Sequence, residues 1–359
     1  MRLIMLVDMD YFYVACEELR RPEIHGKPAI VGADPKNGTG RGVVMTCSYQ
    51  ARAFGIRSGM PISTAYRLKP DAIFLPFDFD YYDSISARVM KLLEPHSDRF
   101  EQVSIDEAYM DVSRKVGGYS EAKKLADRIK SEIKDEIGLP CSIGISYNKL
   151  LAKMACERAK PGGIGVVAEG EAAGFLEPLP LSKLYGVGIK TQEKLEAAGY
   201  KRIGDVTRAN VMDLFTLLGS YGIELYNYSR GIDDSRVEEN RDVKSISREA
   251  TFPEDTEDRR AILNMIHSLA EGVAHDIEAK KLSFKVVTVK IRYSDFTESL
   301  KSESIRRTNG LEELSAAAES LFLANAVSGK KVRKLGVKAS DLVRFKGQKR
   351  LSDFNKKGS

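Results

Sequence analysis

The chain opens with an unbroken apolar run, Leu3-Ile4-Met5-Leu6-Val7, that stops at Asp8. Such a run, bounded by a charge, predicts a buried strand over residues 2–8. Residues 9–19 read as a helix or turn rich in aromatics. Gly32, Pro35, Gly38, Gly40, Gly42, Gly55, Gly59, Pro61 and Pro70 then break up the stretch 26–77. That punctuation predicts a small subdomain of short strands and short helices. Helical spacing returns at 79–95, with Ile85, Val89, Leu92 and Leu93 on one stripe. Residues 99–113 alternate as a strand pair. Residues 119–137 place Ala122, Leu125, Ile129, Ile133 and Ile137 on one face of an amphipathic helix. A strand at 140–146 follows, and Asn148 is placed to cap a helix running to about Ala159. Pro161-Gly162-Gly163 ends that helix, and Gly165-Val166-Val167 begins another strand.

This order resembles a split βαβ sheet with helices on one face, interrupted early by the Gly/Pro-rich insertion. Residues 170–232 read as short helices. Residues 233–246 are polar and charged, as in a linker. Strands at 247–252, 284–293, around 302–307 and at 332–339 alternate with helices at 259–278 and 311–325. They predict a second, βαββαβ unit. The fold class expected is α+β.

With 359 residues, 43% of them hydrophobic, the chain has the material for two or three packed domains. No apolar run approaches the roughly 20 residues of a membrane span. The N-terminal run lacks a small-residue cleavage site, so it reads as a strand rather than a signal peptide. A cytoplasmic protein without a membrane partner is expected. Cys16, Cys47, Cys141 and Cys156 form no C-x-x-C pair and are expected to be buried thiols. The four histidines form no ligand cluster, so no zinc site is expected.

The net charge of +5 is uneven. Residues 1–235 carry 31 basic and 32 acidic side chains, and residues 330–359 carry 11 and 2. A basic C-terminal segment on a neutral body suits a polyanion, with nucleic acid first, or is simply a solvated tail.

Two acidic motifs carry the candidate chemistry: Val7-Asp8-Met9-Asp10 and Ser104-Ile105-Asp106-Glu107-Ala108. A carboxylate at a buried strand end is costly without a partner. Magnesium offsets that cost and takes oxygen ligands from one or two carboxylates plus phosphate. If the two strands are neighbours, Asp8 and Asp106 face each other across a two-metal site for phosphoryl transfer. Spacing alone fits surface or salt-bridged acids equally well.

The surrounding residues separate these readings. Asp8-Met9-Asp10-Tyr11-Phe12-Tyr13 and Ser104-Ile105-Asp106-Glu107-Ala108-Tyr109-Met110-Asp111 resemble the two acidic motifs of Y-family DNA polymerases, in the DNA polymerase IV branch. Thr46-Cys47-Ser48-Tyr49-Gln50-Ala51-Arg52 is similar to that family's finger motif. Ser142-Ile143-Gly144-Ile145-Ser146-Tyr147-Asn148-Lys149-Leu150-Leu151-Ala152-Lys153 and Ala159-Lys160-Pro161-Gly162-Gly163 are similar to its palm-helix signature. The likeness is dense over residues 1–235 and thins to arrangement beyond them.

The resemblance implies a right-hand-like, template-directed DNA polymerase, error-prone and suited to lesion bypass. It implies a palm at 1–19 and 78–167, fingers at 20–77, a helical thumb at 168–232, a linker at 233–246, a little finger at 247–343 and a flexible tail at 344–359. Asp8 and Asp106 are expected to ligate two magnesium ions, or manganese in their place, with the Met9 carbonyl assisting and Glu107 beside the primer end. Thr46, Tyr49, Arg52 and Lys160 are expected at the dNTP. Phe12 lines that site, and Tyr13 stands where the family has its steric gate against a 2′-hydroxyl. Arg52 lies i+3 from Tyr49 on a helix and offers a donor fork suited to phosphate. Without the resemblance Tyr49 and Arg52 read as surface residues, Lys160 as a helix C-terminal charge, and Tyr11, Phe12 and Tyr13 as core aromatics, the reading kept for Tyr11.

Leu184-Tyr185-Gly186-Val187-Gly188-Ile189-Lys190-Thr191 looks like a helix–hairpin–helix. Its Gly186, Gly188 and Lys190 would meet a DNA phosphate at a helix start. Lys244, Ser245, Arg248, Arg306, Arg307, Arg333 and Lys334 are the candidate backbone contacts of the little finger. In the tail, Gln348, Leu351 and Phe354 match a Gln-x-x-aliphatic-x-x-aromatic peptide of the kind that binds a sliding clamp. The expected partners are primer–template DNA, dNTP and that clamp, with the protein a monomer. Two other classes compete: a nucleotide cyclase, which needs no thumb or little finger, and a DNA-binding scaffold with a decayed palm, which has no use for all three acids.

Overall fold

The computed structural model describes residues 1–239 and 242–344. The chain divides into two compact units, Met1–Asn240 and Arg241–Ser359.

The first unit begins with β1 (Ile4–Met9) and α1 (Phe12–Arg20). The Gly/Pro-rich stretch supplies β2 (Ala29–Gly32), β3 (Val44–Cys47), α2 (Tyr49–Ala53), α3 (Ile62–Leu68) and β4 (Ile73–Pro76). These three strands make a separate small sheet in the order β3-β2-β4. Then come α4 (Phe79–Leu93), β5 (Arg99–Gln102), β6 (Glu107–Asp111), α5 (Tyr119–Glu136), β7 (Cys141–Ser146), α6 (Lys149–Ala159) and β8 (Ile164–Val166). The main sheet runs β5-β6-β1-β7-β8, with β1 central and antiparallel to both neighbours.

Every residue of β1 is buried, which explains its unbroken apolar sequence. Met5, Val7 and Met9 pack with Val89 and Leu93 of α4 and Ile129 and Ile133 of α5. Ile4 and Leu6 face the other way, onto Ala152 and Cys156 of α6. The expected one-faced sheet is therefore corrected: α4 and α5 cover one face, and α6 lies on the other. Glycine makes that approach close. A Cβ on Gly144 of β7 would stand 1.9 Å from the Ala152 carbonyl, and one on Gly165 of β8 would stand 2.2 Å from that of Ala155. Asn148 caps α6 as its position predicts, its side chain accepting from Leu151 N–H at 2.9 Å.

Five short helices complete this unit: α7 (Ala172–Leu176), α8 (Ile189–Ala197), α9 (Ile203–Thr207), α10 (Val211–Leu218) and α11 (Ser220–Ser229). They share a core with Leu150, Leu151 and Met154 of α6. The charged stretch after them is not free along its length. Val237 is 2% exposed and packs with Ile4 and Leu6, and Asp233 accepts from Leu150 N–H at 3.0 Å.

The second unit runs β9 (Ser245–Thr256), α12 (Arg259–Ala279), β10 (Leu282–Tyr293), β11 (Glu298–Thr308), α13 (Leu311–Asn325), β12 (Val332–Ser340) and β13 (Val343–Arg344). Its sheet order is β11-β10-β12-β9, with all pairs antiparallel. Val287, Val289 and Ile291 of β10 meet Ile266, Val273 and Leu321 of the two helices in its core. The short β13, not foreseen in the sequence, pairs with the start of β10. All four cysteines are free and buried. No helix among the described residues is long and apolar enough to cross a membrane.

Candidate active site

Asp8 lies in register with Glu107 of β6 on one side and Ser142 of β7 on the other. The N–H of Met9 donates to the Asp106 carbonyl at 2.9 Å, fixing the turn before β6 against the end of β1. Two distant sequence motifs thus meet at one edge of the sheet. Asp8 continues the Ile4, Leu6 period and so points to the face that carries α6.

That helix brings the counter-charge. Lys153 lies 3.0 Å from Asp8 Oδ2, also pairs with Glu107, and lies 3.3 Å from Glu157. Lys160, just past the end of α6, lies 2.8 Å from Asp8 Oδ1 and 2.9 Å from Glu157. Burial alone would lower the proton affinity of both lysines. The carboxylates around them, Asp8 with Glu107 and Glu157 at Lys153 and Asp8 with Glu157 at Lys160, together outweigh it and raise both. Burial pushes the Asp106 carboxyl up, and the charge of Asp8 adds to this, while the Ser104 hydroxyl opposes it with a 2.6 Å hydrogen bond. Burial raises Glu107 too, and it prevails over the pairing with Lys153.

Asp10 is 1% exposed and ties three segments together. It accepts from the Tyr49 hydroxyl at 3.2 Å, the Ser142 hydroxyl at 2.9 Å and the Gly162 N–H at 2.8 Å. Tyr49 opens α2, which Ser48 caps by accepting from Ala51 N–H. The Arg52 guanidinium stacks 4.7 Å from the Tyr49 ring centre, as their spacing implies. Burial, with the Asp10 charge, pushes the Tyr49 phenol up to about 12. Thr46, on β3, is largely buried.

Phe12 is 2% exposed, its ring sunk in the core. Tyr13 is half-buried against Phe77 and Tyr82, with ring centres 5.0 and 4.9 Å away. Its phenol is raised by burial and then by the charge of Asp106, which marks it as a neighbour of the acids. Tyr11 packs edge-on to Tyr49 at 5.3 Å and donates to Glu18.

One end of β1 therefore gathers Asp8, Asp106, Glu107, Tyr13, Lys160 and, through Asp10, Tyr49 and Arg52. Among the described residues, no three His, Cys, Asp or Glu side chains converge at metal-holding range. Lys153 and Lys160 hold Asp8 instead. The sequence motifs assign no role to Lys153, Asp10, Glu157, Ser104 or Ser142. The signal was present for some: Asp10 is two residues past Asp8 on a strand period, and Lys153, Glu157 and Lys160 follow a helical i, i+4, i+7 spacing.

Elsewhere in the first unit, Gly188 N-caps α8, leaving Lys190 exposed and Ile189 77% exposed. Gly186 has φ +87°, and a Cβ there would meet the Tyr221 hydroxyl at 2.7 Å, so the turn requires glycine. In the second unit Lys244, Ser245 and Arg306 are exposed. Arg248 is turned onto α12, where it pairs with Asp276 at 3.0 Å. Arg307 pairs with Asp341 at 3.0 Å and Arg333 with Asp255 at 3.5 Å. Lys334 pairs with Glu249 on the sheet face opposite the helices. Gln348, Leu351 and Phe354 lie outside the described residues.

Comparison with known proteins covers nearly the whole chain. The impB/mucB/samB family model matches residues 7–157, the IMS family HHH motif matches 169–200, and the impB/mucB/samB family C-terminal domain matches 243–352. A DNA polymerase IV of Methanoculleus marisnigri is 44% identical over 95% of this chain and 94% of its own length. A DNA polymerase IV of Methanosarcina acetivorans is 41% identical, covering 98% and 99%. Among solved structures, a Y-family DNA polymerase chimera superposes with a TM-score of 0.87 at 29% identity, covering 95% of this chain and 99% of that one. An insertion ternary complex of Dbh DNA polymerase gives 0.69 at 28% identity, covering 95% and 99%.

Proposed function

The chain belongs to the Y-family DNA polymerases, in the DNA polymerase IV branch, and on that footing we propose that Asp8, Asp106 and Glu107 form its catalytic centre. It is a DNA-directed DNA polymerase of the error-prone, translesion class, adding dNTP to a primer 3′-hydroxyl. The observation that carries the site assignment is the register of Asp8 opposite Glu107, with Asp106 bonded through its carbonyl to Met9.

Polymerases of this family are metal-dependent. Magnesium is the ion proposed, as a pair, with manganese a substitute. The donor set fits a hard cation, since every candidate ligand atom is oxygen. Burial raises the carboxyls of Asp106 and Glu107, a cost that a bound cation would offset. Asp8 and Asp106 would hold both ions, the Met9 carbonyl one of them, and Glu107 the one nearer the primer. When bound, such ions polarise the reacting hydroxyl and neutralise charge on the phosphates. With cations bound, Lys153 would give up Asp8 and Glu107 and keep its contact with Glu157.

The chain's own residues handle the nucleotide. Lys160, Arg52 and Tyr49 orient the triphosphate, and Asp10 holds Tyr49 in place. Thr46 and the backbone at Phe12 line the same site. Tyr13 places its ring under the sugar and excludes a 2′-hydroxyl. The longest helix between residues 20 and 77 is the seven-residue α3. Fingers this small enclose the nascent base pair loosely, so shape discrimination is weak. Gly186, Gly188 and Lys190 meet DNA phosphates at the start of α8, and the second unit serves as the little finger on duplex DNA. By its sequence, the segment with Gln348, Leu351 and Phe354 tethers a cytoplasmic, monomeric enzyme to a sliding clamp, which a binding assay on peptide 344–357 tests.

The deciding experiment is primer extension with the full chain, with and without magnesium. Addition that requires metal, primer and template supports the reading. Metal-dependent conversion of free nucleotide without DNA points to a cyclase instead.

A further inference from the structure

The sheet of the second unit carries α12 and α13 on one face only. Across its other face runs a ladder of charges. Glu249 of β9, Gly336 of β12 and Lys290 of β10 lie in one cross-strand row. Gly336 leaves a gap in the middle of that row. The Glu249 side chain lies over it, so that a Cβ on Gly336 would stand 2.8 Å from Glu249 Cγ. Through this gap Glu249 Oε1 comes within 3.5 Å of Lys290 Nζ, two strands away, while Oε2 pairs with Lys334. Glu298 of β11 continues the ladder, 3.5 Å from Lys290 and 2.7 Å from Arg292 Nε. Lys338, in register with Thr288 on the same face, has no ion-pair partner among the described residues.

Taking this face as the one the little finger turns to duplex DNA, we propose that Glu249, reaching over Gly336, holds the affinity down by occupying the lysines the phosphates need. The inference rests on the reading of the second unit as a DNA-binding little finger. Charge complementarity favours the duplex, since four cations here face two carboxylates. A phosphate that engages Lys290 or Lys334 must first displace Glu249, so one ion pair is exchanged for another and the net gain is small. A lysine already neutralised also delivers less charge to the DNA and contributes less to the salt dependence. Glu249 and Gly336 act as affinity-limiting residues.

The test measures affinity of the full chain for a primer–template by fluorescence anisotropy over a salt series. Glu249→Gln is expected to tighten binding about three- to fivefold, the scale of an exposed ion pair. It is also expected to steepen the slope of log affinity against log salt by about one. Gly336→Ala changes no charge, yet it pushes Glu249 off Lys290 and is expected to tighten binding in the same direction. It adds nothing in the Glu249→Gln background. Lys338→Ala is expected to weaken binding. If Lys338→Ala weakens binding but Glu249→Gln does not tighten it, the brake is overturned while the docking face stands. If Lys338→Ala has no effect, the face does not meet DNA and both readings fall. If Glu249→Gln tightens binding and Gly336→Ala does not, the reach over Gly336 is overturned.

Discussion

Lys153 lies 3.0 Å from one oxygen of Asp8, and the other oxygen of that carboxylate is held by Lys160 at 2.8 Å. Both lysines come from α6 or the residue after it, so a single helix supplies the positive charge that meets Asp8 and Glu107. Asp8 is thereby paired and oriented within the protein alone. Binding of cations and triphosphate becomes an exchange of partners rather than the filling of a bare cluster of like charges.

Asp106→Ala is expected to abolish nucleotide addition while leaving primer–template affinity within about twofold. Asp106 is a proposed ligand of both metals, and DNA is proposed to be held elsewhere, by phosphate contacts. The drop in turnover should exceed the roughly hundredfold loss seen when a metal site loses only an outer-shell partner. Single-turnover extension measures it, and activity within tenfold of the wild type defeats the assignment.

Tyr13→Ala is expected to admit ribonucleotides at least about tenfold more readily, with dNTP addition largely kept. A contact that excludes one extra hydroxyl is of this size. The ring is half-buried against Phe77 and Tyr82, so it is held rather than swinging free. The readout is the ratio of rNTP to dNTP incorporation. An unchanged ratio reduces Tyr13 to a packing residue.

Much of the fold was legible because its signals are local. The apolar run of β1, the Asn148 cap and the helix periodicity of α4, α5, α12 and α13 each lie within a few residues. That Asp8 would meet the second acidic motif was legible only through the resemblance, and the register opposite Glu107 rather than Asp106 was not, since register between distant strands leaves no mark on either one. Helix placement about the first sheet was misread. β1 is apolar on both sides, so its sequence does not say which face a helix covers. Lys153 escaped notice because its role depends on α6 crossing β1, a relationship set by Gly144 and Gly165 rather than by the lysine's own neighbours. The interleaved carboxylates of the second unit were likewise invisible, because Glu249 meets Lys290 only across an intervening strand.

Asp10→Ala is expected to cost about 2 to 3 kcal/mol of stability, the scale for leaving buried donors unpaired. The side chain is 1% exposed and accepts from Ser142, Tyr49 and Gly162. Its loss also frees Tyr49, so the KM for dNTP should rise more than turnover falls. Asp10→Asn keeps the shape and some of the acceptors and should lie between. Denaturant unfolding and steady-state kinetics on the same preparations separate the two effects. Wild-type stability of Asp10→Ala contradicts the role as a tie.

Gly144→Ala tests whether α6 must sit close to the sheet for the site to exist. A Cβ at this position would stand 1.9 Å from the Ala152 carbonyl and 2.5 Å from the Cys156 nitrogen, both of them backbone atoms that no rotamer change can move. The helix must shift outward to relieve the overlap. That opens the contact of Leu6 with Ala152 and Cys156 and draws Lys153 away from Asp8. Overpacking of this kind costs roughly 1 to 3 kcal/mol and more where backbone is the obstacle. The folded fraction should therefore lose turnover beyond what reduced stability explains, since a misplacement of about 1 Å near reacting groups costs on the order of a hundredfold. Gly174→Ala is the control, because a Cβ there meets nothing within 4 Å. Activity per folded molecule, measured well below the unfolding temperature, should fall for Gly144→Ala and hold for Gly174→Ala. Equal activity in the two would mean that the close seat of α6 serves packing alone.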